Sequence, residues 1–246
     1  YQSLYRNNGA NNVAVGGHTM ANGTVGQESV AIGTSALYNN DGWSNIALGS
    51  GVMYSTTDGS YNVGMCYQAL SRNTLGRGNI AIGVFNMTEN IDGFHNTSVG
   101  TASMLNNTSG EYNVAYGNEA VFNNTTGTQN TGLGTLALHE NTTGSGNTAV
   151  GYNANVSAGN LTNATAIGAG AVVNASNKVR IGNASVTVIE GQVPFTTPSD
   201  GRLKFNVEEN VKGLDFIMQL RPVTYQFDVK RFDGQAAQEA SLQTAY

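Results

Sequence analysis

Apolar residues recur along most of the chain in a short pattern that ends in glycine and returns about every 17 residues. In Ser29-Val-Ala-Ile-Gly33 and Asn113-Val-Ala-Tyr-Gly117, larger apolar residues flank a small central one. The pattern ends at Gly16, Gly33, Gly49, Cys66, Gly83, Gly100, Gly117, Gly134, Gly151 and Gly168, and a shortened copy ends at Gly182. Before that last copy, only the interval from Gly33 to Gly49 is shorter, at 16 residues. A fixed period of this kind predicts stacked coils, each of which buries its apolar face only against its neighbours.

Each copy of the pattern predicts a strand with two apolar faces. Alternation places Val30 and Ile32 on one face and Ala31 on the other. The central position is small in nearly every copy, so we expect it to face the thin inside of a flattened coil. The larger residues are then left exposed on a single chain. A second short strand and a polar turn are expected to complete each coil.

The turn is marked by a second glycine and by asparagine. Glycine recurs ten residues after most pattern ends, as at Gly93 and Gly110, which predicts a positive φ at these positions. Asparagine begins most copies, as at Asn96, and we expect its amide to cap the turn and to stack on the next coil.

The exposed apolar face predicts self-assembly. Eleven strands at a spacing of ~4.8 Å would form a sheet about 50 Å long. A continuous apolar surface of this length is rarely left in water, and closed symmetry around a fibre axis would bury it. From the periodicity alone, a dimer and a trimer both satisfy this geometry.

Charge divides the chain into two parts. Residues 1–198 contain 14 Lys, Arg, Asp and Glu residues, whereas the 48 residues from 199 to 246 contain 13. We therefore expect two domains, residues 1–190 and 191–246.

Lys and Arg are absent between Arg77 and Lys178, so a nucleic-acid partner is not expected. The apolar runs are far shorter than the ~20 residues of a membrane-spanning helix, and no membrane span is expected.

Two further features concern processing and redox chemistry. Tyr1 rather than Met begins the sequence, so we expect a processed or partial chain, and export stays open. Cys66 is the only cysteine, which rules out an intrachain disulfide. It replaces the glycine that ends the pattern, and we interpret it as a small buried thiol.

The repeats resemble a known family. The pattern Asn/Ser-x-Ala-x-Gly-x-x-Ala, as in residues 29–36 and 113–120, resembles the left-handed parallel β-roll of trimeric autotransporter adhesin heads over residues ~10–185. The resemblance implies left-handed coils, a homotrimer and attachment to surfaces, and therefore an extracellular, cell-surface or virion location. The 17-residue period is longer than that family's head repeats, so no loop-borne binding function is transferred. We expect an all-β fold, a parallel left-handed β-roll or solenoid in a trimeric fibre, followed by a short α+β segment.

The C-terminal segment resembles a second family. Ser199-Asp-Gly-Arg-Leu-Lys204-Phe-Asn-Val207 and the stretch from Gly213 to Phe227 resemble the C-terminal intramolecular chaperone autoprotease of phage endosialidases, tailspikes and related trimeric fibres. The match covers residues ~195–246, the N-terminal part of such a domain. It implies that Ser199 is a nucleophile, that Lys204 is its base and that the bond between Pro198 and Ser199 is cleaved. A lysine can act as this base once burial lowers its pKa.

An enzyme in the repeats is not expected. A polysaccharide-cleaving site needs paired carboxylates in a cleft, and the acidic residues of the repeats form no recurring group: Glu28, Asp41, Asp58, Glu89, Asp92, Glu111, Glu119 and Glu140. His18, His95 and His139 are interpreted as turn or surface residues. The nonapeptide pattern of calcium-binding β-rolls is absent, and no metal or cofactor is predicted.

Aromatic rows leave sugar binding open. Tyr61, His95 and Tyr112 share one repeat position, and Tyr38, Tyr54 and Phe122 share another. Such rows could bind a surface glycan or stack between coils, and stacking is favoured.

Taken together, the repeats and the two resemblances predict a structural or adhesive homotrimeric fibre, either a phage-like tail fibre or a bacterial surface adhesin. A shaft attached to a polysaccharide-degrading tailspike enzyme and a carbohydrate-binding module are the alternatives.

Overall fold

A computed structural model describes residues 2–192 and Leu220. Contacts within the chain separate two units, Tyr1–Ile189 and Glu190–Tyr246, and the architecture below is that of the first. Its strands are β1 (Val13–Val15), β2 (Val30–Ile32), β3 (Ile46–Leu48), β4 (Val63–Met65), β5 (Ile80–Ile82), β6 (Thr97–Val99), β7 (Val114–Tyr116), β8 (Thr131–Leu133), β9 (Thr148–Val150), β10 (Asn155–Val156), β11 (Thr165–Ile167), β12 (Val172–Val173) and β13 (Val179–Ile181).

The strands form a parallel β-solenoid of about ten turns. One 11-stranded sheet runs in the order β1 to β9, then β11 and β13, and β10 pairs with β12 in a second sheet. Equivalent repeat positions lie opposite each other, and Ala31 pairs with Ala47 across the 16-residue coil. The described part of the chain contains no helix. This confirms the predicted all-β parallel solenoid, while the handedness of the coils stays a prediction.

The two faces of the strands are arranged as expected. In β2 and β7 the central Ala31 and Ala115 are fully buried, whereas their neighbours Ile32 and Tyr116 are exposed. The interior also contains a column of larger side chains that the sequence analysis did not assign: Met20, Leu37, Met53, Leu70, Met87, Met104, Val121 and Leu138. The core therefore consists of small strand residues packed against this larger column.

The segment that follows each strand is mostly a turn, and the predicted second strand is wrong for most coils. Alternate residues have positive φ values there, such as 54° at Phe85 and 49° at Met87. This backbone conformation costs an L-residue roughly 1–2 kcal/mol, but burying a Met or Leu side chain returns about 1.5–3 kcal/mol. The buried side chain therefore compensates for the unfavourable backbone. Among the residues that the structure describes, only β10 and β12 form a second pair of strands.

The turn glycines have a different role from the one predicted. Gly93 and Gly110 do not have positive φ, which belongs instead to the glycines that end the pattern, with 142° at Gly83 and 140° at Gly100. A Cβ atom added at Gly93 would lie 2.6 Å from the carbonyl oxygen of Gly110 in the next coil. Glycine is required there because successive turns pack backbone against backbone.

The asparagine prediction is confirmed. The Asn79 side chain accepts a hydrogen bond from the backbone N–H of Asn96 at 3.0 Å and donates to the carbonyl of Gly93 at 2.7 Å. A second buried ladder, which the sequence analysis did not identify, lies in the turns: Asn107 donates to the side chain of Asn90 at 2.8 Å. Both ladders satisfy polar groups that stacking removes from water.

Replacing Asn113 with alanine should lower the free energy of unfolding by about 2–4 kcal/mol. The substitution leaves the buried N–H of Asn130 without its partner, which costs about 1–3 kcal/mol. It also removes one of the two side-chain hydrogen bonds to the carbonyl of Gly127, which still accepts one from Asn124, and this loss adds about 1 kcal/mol. Urea unfolding followed by circular dichroism measures the change. Asn106→Ala is the control, since Asn106 makes one long side-chain hydrogen bond of 3.4 Å. Equal losses in the two variants would contradict a special role for the ladder.

The core matches small residues to large ones. A Cβ atom added at Gly64 would lie 2.6 Å from a Val52 methyl group. We therefore expect Gly64→Ala to destabilise the solenoid by about 1–3 kcal/mol, and Val52→Ala in the same chain to recover part of that loss. Urea unfolding of the two single variants and the double variant gives the coupling energy. Additive losses would show that the two positions do not compensate each other.

Candidate functional site

The exposed face of the long sheet is the first candidate surface. We call the first and third residues of strands β1–β9 and β11 the apolar stripe. All of them are half-buried or exposed, and the exposed ones range from 37% at Leu133 to 56% at Val15. The predicted exposure of the larger apolar residues is therefore confirmed. At ~4.8 Å per coil the stripe runs for about 45 Å along the solenoid.

The chemistry of the apolar stripe suits contact with another protein surface. Val, Ile, Leu and Met dominate both of its columns, threonine replaces them at Thr97, Thr131, Thr148 and Thr165, and no charged residue occurs in it. Soluble monomers rarely expose a contiguous apolar patch of this size, and such patches mark interaction sites.

Aromatic side chains stack from coil to coil, as the sequence favoured. The rings of Tyr38 and Tyr54 are parallel with centroids 4.9 Å apart. His95 stacks on Tyr112 at 5.4 Å, and Phe122 stacks on His139 at 5.2 Å. These rows cover the coils from outside, so their aromatic character has a structural explanation.

A second candidate surface is an open groove that crosses the turns of three coils. We call it the aromatic groove, and its principal side chains are Asp41, Trp43, Asp58, Tyr61, Leu75 and Arg77. Trp43 is 53% exposed and Tyr61 is 62% exposed. Four of these residues, Asp41, Asp58, Tyr61 and Arg77, were noted separately from the sequence but were not brought together. The 17-residue spacing of position 60 from positions 43 and 77 was the signal that could have found the site.

Several acidic side chains, including Asp41 of the groove, form contacts that support the coils. Asp41 accepts a hydrogen bond from the backbone N–H of Val25 at 3.0 Å. Glu89 pairs with Arg72, and the His139 ring lies 3.6 Å from Glu119 and 3.1 Å from Glu140. Within residues 2–192, no three His, Cys, Asp or Glu side chains cluster as metal ligands would.

Cys66 is exposed, so the interpretation of a buried thiol is wrong. Its φ is 83°, whereas the glycines that end the pattern from Gly16 to Gly151 have values of 127–143°. A Cβ atom at those glycines would meet the backbone of the next coil. The altered backbone at Cys66 accommodates a side chain at the surface instead.

The predicted cleavage-site residues Pro198, Ser199 and Lys204 lie outside the described residues, as does most of the predicted α+β segment. Their roles therefore rest on the sequence.

Comparison with known proteins bears on this C-terminal segment. Residues 199–243 match the family model described as "Chaperone of endosialidase". The match begins at Ser199, the residue expected to follow the cleaved bond. It supports the architecture predicted from the sequence, a repeat solenoid followed by an intramolecular chaperone segment.

The other comparisons add no relative of the repeats. No curated protein and no solved structure matches the chain. The likeness of the repeats to adhesin heads therefore stays a prediction. In the part of the chain that the structure describes, no helix has the length and apolar character to cross a membrane.

Proposed function

We propose that the chain is a structural and adhesive fibre protein that assembles as a homotrimer on a cell surface or a virion. The repeats form its shaft, as in a phage-like tail fibre or a bacterial surface adhesin. The C-terminal segment directs trimerisation and cleaves the chain between Pro198 and Ser199.

The observation that carries the proposal is the apolar stripe. It is continuous over the sheet, lacks charge and lies on a solenoid whose own core is already filled by the Met and Leu column. Three copies arranged around one axis would bury all three stripes and leave the polar turns in water. A trimer is favoured over a dimer because both sequence resemblances imply trimeric assemblies.

The repeats also explain why a chaperone segment would be needed. Each coil presents nearly the same stripe residues as the next, so two chains can pair after a slip of one coil with little loss of contact. Contacts between distant chains also form slowly. A C-terminal clamp that trimerises first would align the three chains before the stripes meet.

Self-cleavage would make the assembly of the fibre irreversible. The Ser199 hydroxyl attacks the carbonyl carbon of Pro198, and neutral Lys204 accepts the hydroxyl proton. The C–N bond breaks, the Ser199 amine takes a proton, and an ester joins Pro198 to the Ser199 oxygen. Water then hydrolyses the ester, which releases the chaperone segment. Without its clamp the fibre could not readily refold, and it would be trapped kinetically.

The native mass of the purified protein tests the proposal. We expect three times the 25.7-kDa mass of the chain before cleavage, measured by sedimentation equilibrium or native mass spectrometry. A monomer at micromolar concentration would overturn the trimer, and a mass of two chains would replace it with a dimer.

A further inference from the structure

The aromatic groove lies beside the coil that departs from the 17-residue period before the last, shortened copy. The 16-residue coil ends at Gly49, and the cysteine that replaces the terminal glycine follows one coil later at Cys66. Trp43, the only tryptophan of the chain, lies in the short coil. Coils that depart from the common pattern present surfaces that the regular coils do not. The irregular coils therefore single out this groove among otherwise equivalent turns.

Trp43 and Arg77 form the two walls of the groove, and the small side chain of Ser60 lies between them as its floor. Trp43, Ser60 and Arg77 occupy the same position in three successive coils, since the backbone N–H of Trp43 donates to the Ser60 hydroxyl at 3.0 Å and that of Gly78 donates to the Ser60 carbonyl at 3.0 Å. Two coil spacings separate the walls by about 10 Å. With contacts of roughly 3.5–4 Å on each side, this gap accommodates one flat ring.

The Trp43 wall is held in place by the backbone. Besides its bond to Ser60, Trp43 accepts a hydrogen bond from the backbone N–H of Tyr61 at 2.9 Å, and it pairs with Gln27 of the preceding coil in an isolated parallel bridge. A fixed wall reduces the entropy that ligand binding must overcome.

The aromatic side chains of the groove lack the stacking partners that other coils provide. Of the aromatic residues in the described range, Tyr38, Tyr54, His95 and Tyr112 stack on rings of neighbouring coils, whereas Trp43 and Tyr61 do not. Gly78 occupies the position between Tyr61 and His95, and the His95 ring covers it.

Arg77 is likewise without an ion-pair partner among the described residues. Exposed Trp, Tyr and Arg side chains are the types that contribute most to binding. The aromatic groove therefore presents an unoccupied set of such side chains on a rigid backbone.

We propose that the aromatic groove binds a pyranose ring of a glycan. The C–H face of a sugar ring is apolar and packs on an aromatic ring, while its edge carries hydroxyl groups that donate and accept hydrogen bonds. Trp43 and Tyr61 supply the aromatic surface, the Asp58 carboxylate accepts from hydroxyls, and the Arg77 guanidinium donates to them. This site goes beyond the fibre function and does not depend on the number of chains in the assembly.

Other occupants fit the groove less well. Asp41 and Asp58 outnumber Arg77, which disfavours a polyanion such as nucleic acid. The groove crosses turns, whereas an extended peptide usually adds to an open strand edge. A single flat ring with hydroxyl edges matches both the width and the mixed polarity.

The only tryptophan makes the test specific, because fluorescence excited at the red edge of the tryptophan absorption band, where tyrosine does not absorb, reports on Trp43 alone in the assembled full chain. Methyl α-D-glucopyranoside, maltotriose and the N-acetylglucosamine trisaccharide are the probes. We expect at least one to change the emission in a saturable way, with a millimolar dissociation constant. Tyr61→Ala and Arg77→Ala should each weaken that binding about tenfold or more. Asp58→Asn should also weaken it.

Tyr112→Ala is the matched control, because Tyr112 shares the repeat position of Tyr61 but stacks on His95. It should leave binding unchanged. A tryptic digest of casein serves as the peptide probe. The proposal is overturned if no saccharide gives a saturable change, if Tyr112→Ala weakens binding as much as Tyr61→Ala, or if the peptides bind and the saccharides do not. Shielding of Trp43 from acrylamide quenching in the assembled protein would also overturn it, since the groove would then be an interface between copies.

Discussion

Leu133→Lys is expected to break the proposed trimer into monomers. Leu133 is the third residue of β8, the eighth of the ten strands of the apolar stripe, and is 37% exposed on the single chain. In a closed trimer its three copies converge on the axis, so the substitution would bury three like charges without partners. Burying an unpaired charge costs several kcal/mol, which corresponds to a loss of association of at least a hundredfold. Sedimentation equilibrium at micromolar concentration measures the change in mass.

A control of equal charge separates this effect from a general loss of solubility. Thr126 lies in an exposed polar turn of the same coil, and Thr126→Lys should leave the trimer intact. Circular dichroism of both variants shows whether the strands still form. The stripe is not the interface if Leu133→Lys remains a trimer, or if both lysine variants dissociate alike.

Ser199→Ala should abolish self-cleavage of the protein when it is expressed from its complete reading frame. Loss of a catalytic nucleophile typically lowers the rate by ~10⁴–10⁶-fold, and Lys204→Ala should act similarly because the hydroxyl then lacks its base. Mass spectrometry of the purified product would show one uncleaved chain in each variant. The wild-type protein would give a product that ends at Pro198.

Two neighbouring substitutions serve as controls for this experiment. Thr197→Ala and Lys212→Ala remove a hydroxyl and an amine close to the site in sequence and should leave cleavage unchanged. The native mass of Ser199→Ala should still be that of a trimer, which excludes misfolding as the cause of lost cleavage. Continued processing in Ser199→Ala and Lys204→Ala would eliminate the autoprotease mechanism.

The strand positions and their register were predictable because they depend on the period alone. Once the pattern that includes Ala31 and Ala47 repeats, each coil places the same residue opposite the same neighbour, and one period defines the sheet. The face assignment followed from alternation within a three-residue strand. Burial of the central alanines and exposure of Ile32 and Tyr116 confirm it.

The turns were less predictable because a glycine can be required for two different reasons. Gly93 looked like a residue with positive φ, but its role is to let the carbonyl of Gly110 approach. Met87, by contrast, has a positive φ of 49° although methionine does not favour it. Local backbone preferences predict neither the role of Gly93 nor the positive φ of Met87, because both depend on contacts between coils.

The aromatic groove was likewise predictable from the sequence only in part. That Trp43, Ser60 and Arg77 share a repeat position follows from their spacing of 17 residues. The gap that Ser60 leaves between the Trp43 ring and the Arg77 guanidinium does not follow from the spacing, because it depends on how the neighbouring rings are oriented. The His95 ring, for example, stacks on Tyr112.

The linear sequence was therefore sufficient for the period, the parallel pairing, the outward apolar stripe and the change of character near residue 190. The folded chain was needed for the conformation of the turns, the Met and Leu column, the surface position of Cys66 and the shape of the groove. The physical reason is that a period repeats local geometry from coil to coil. Burial and close approach depend instead on which atoms of different coils meet, and no single repeat contains that information.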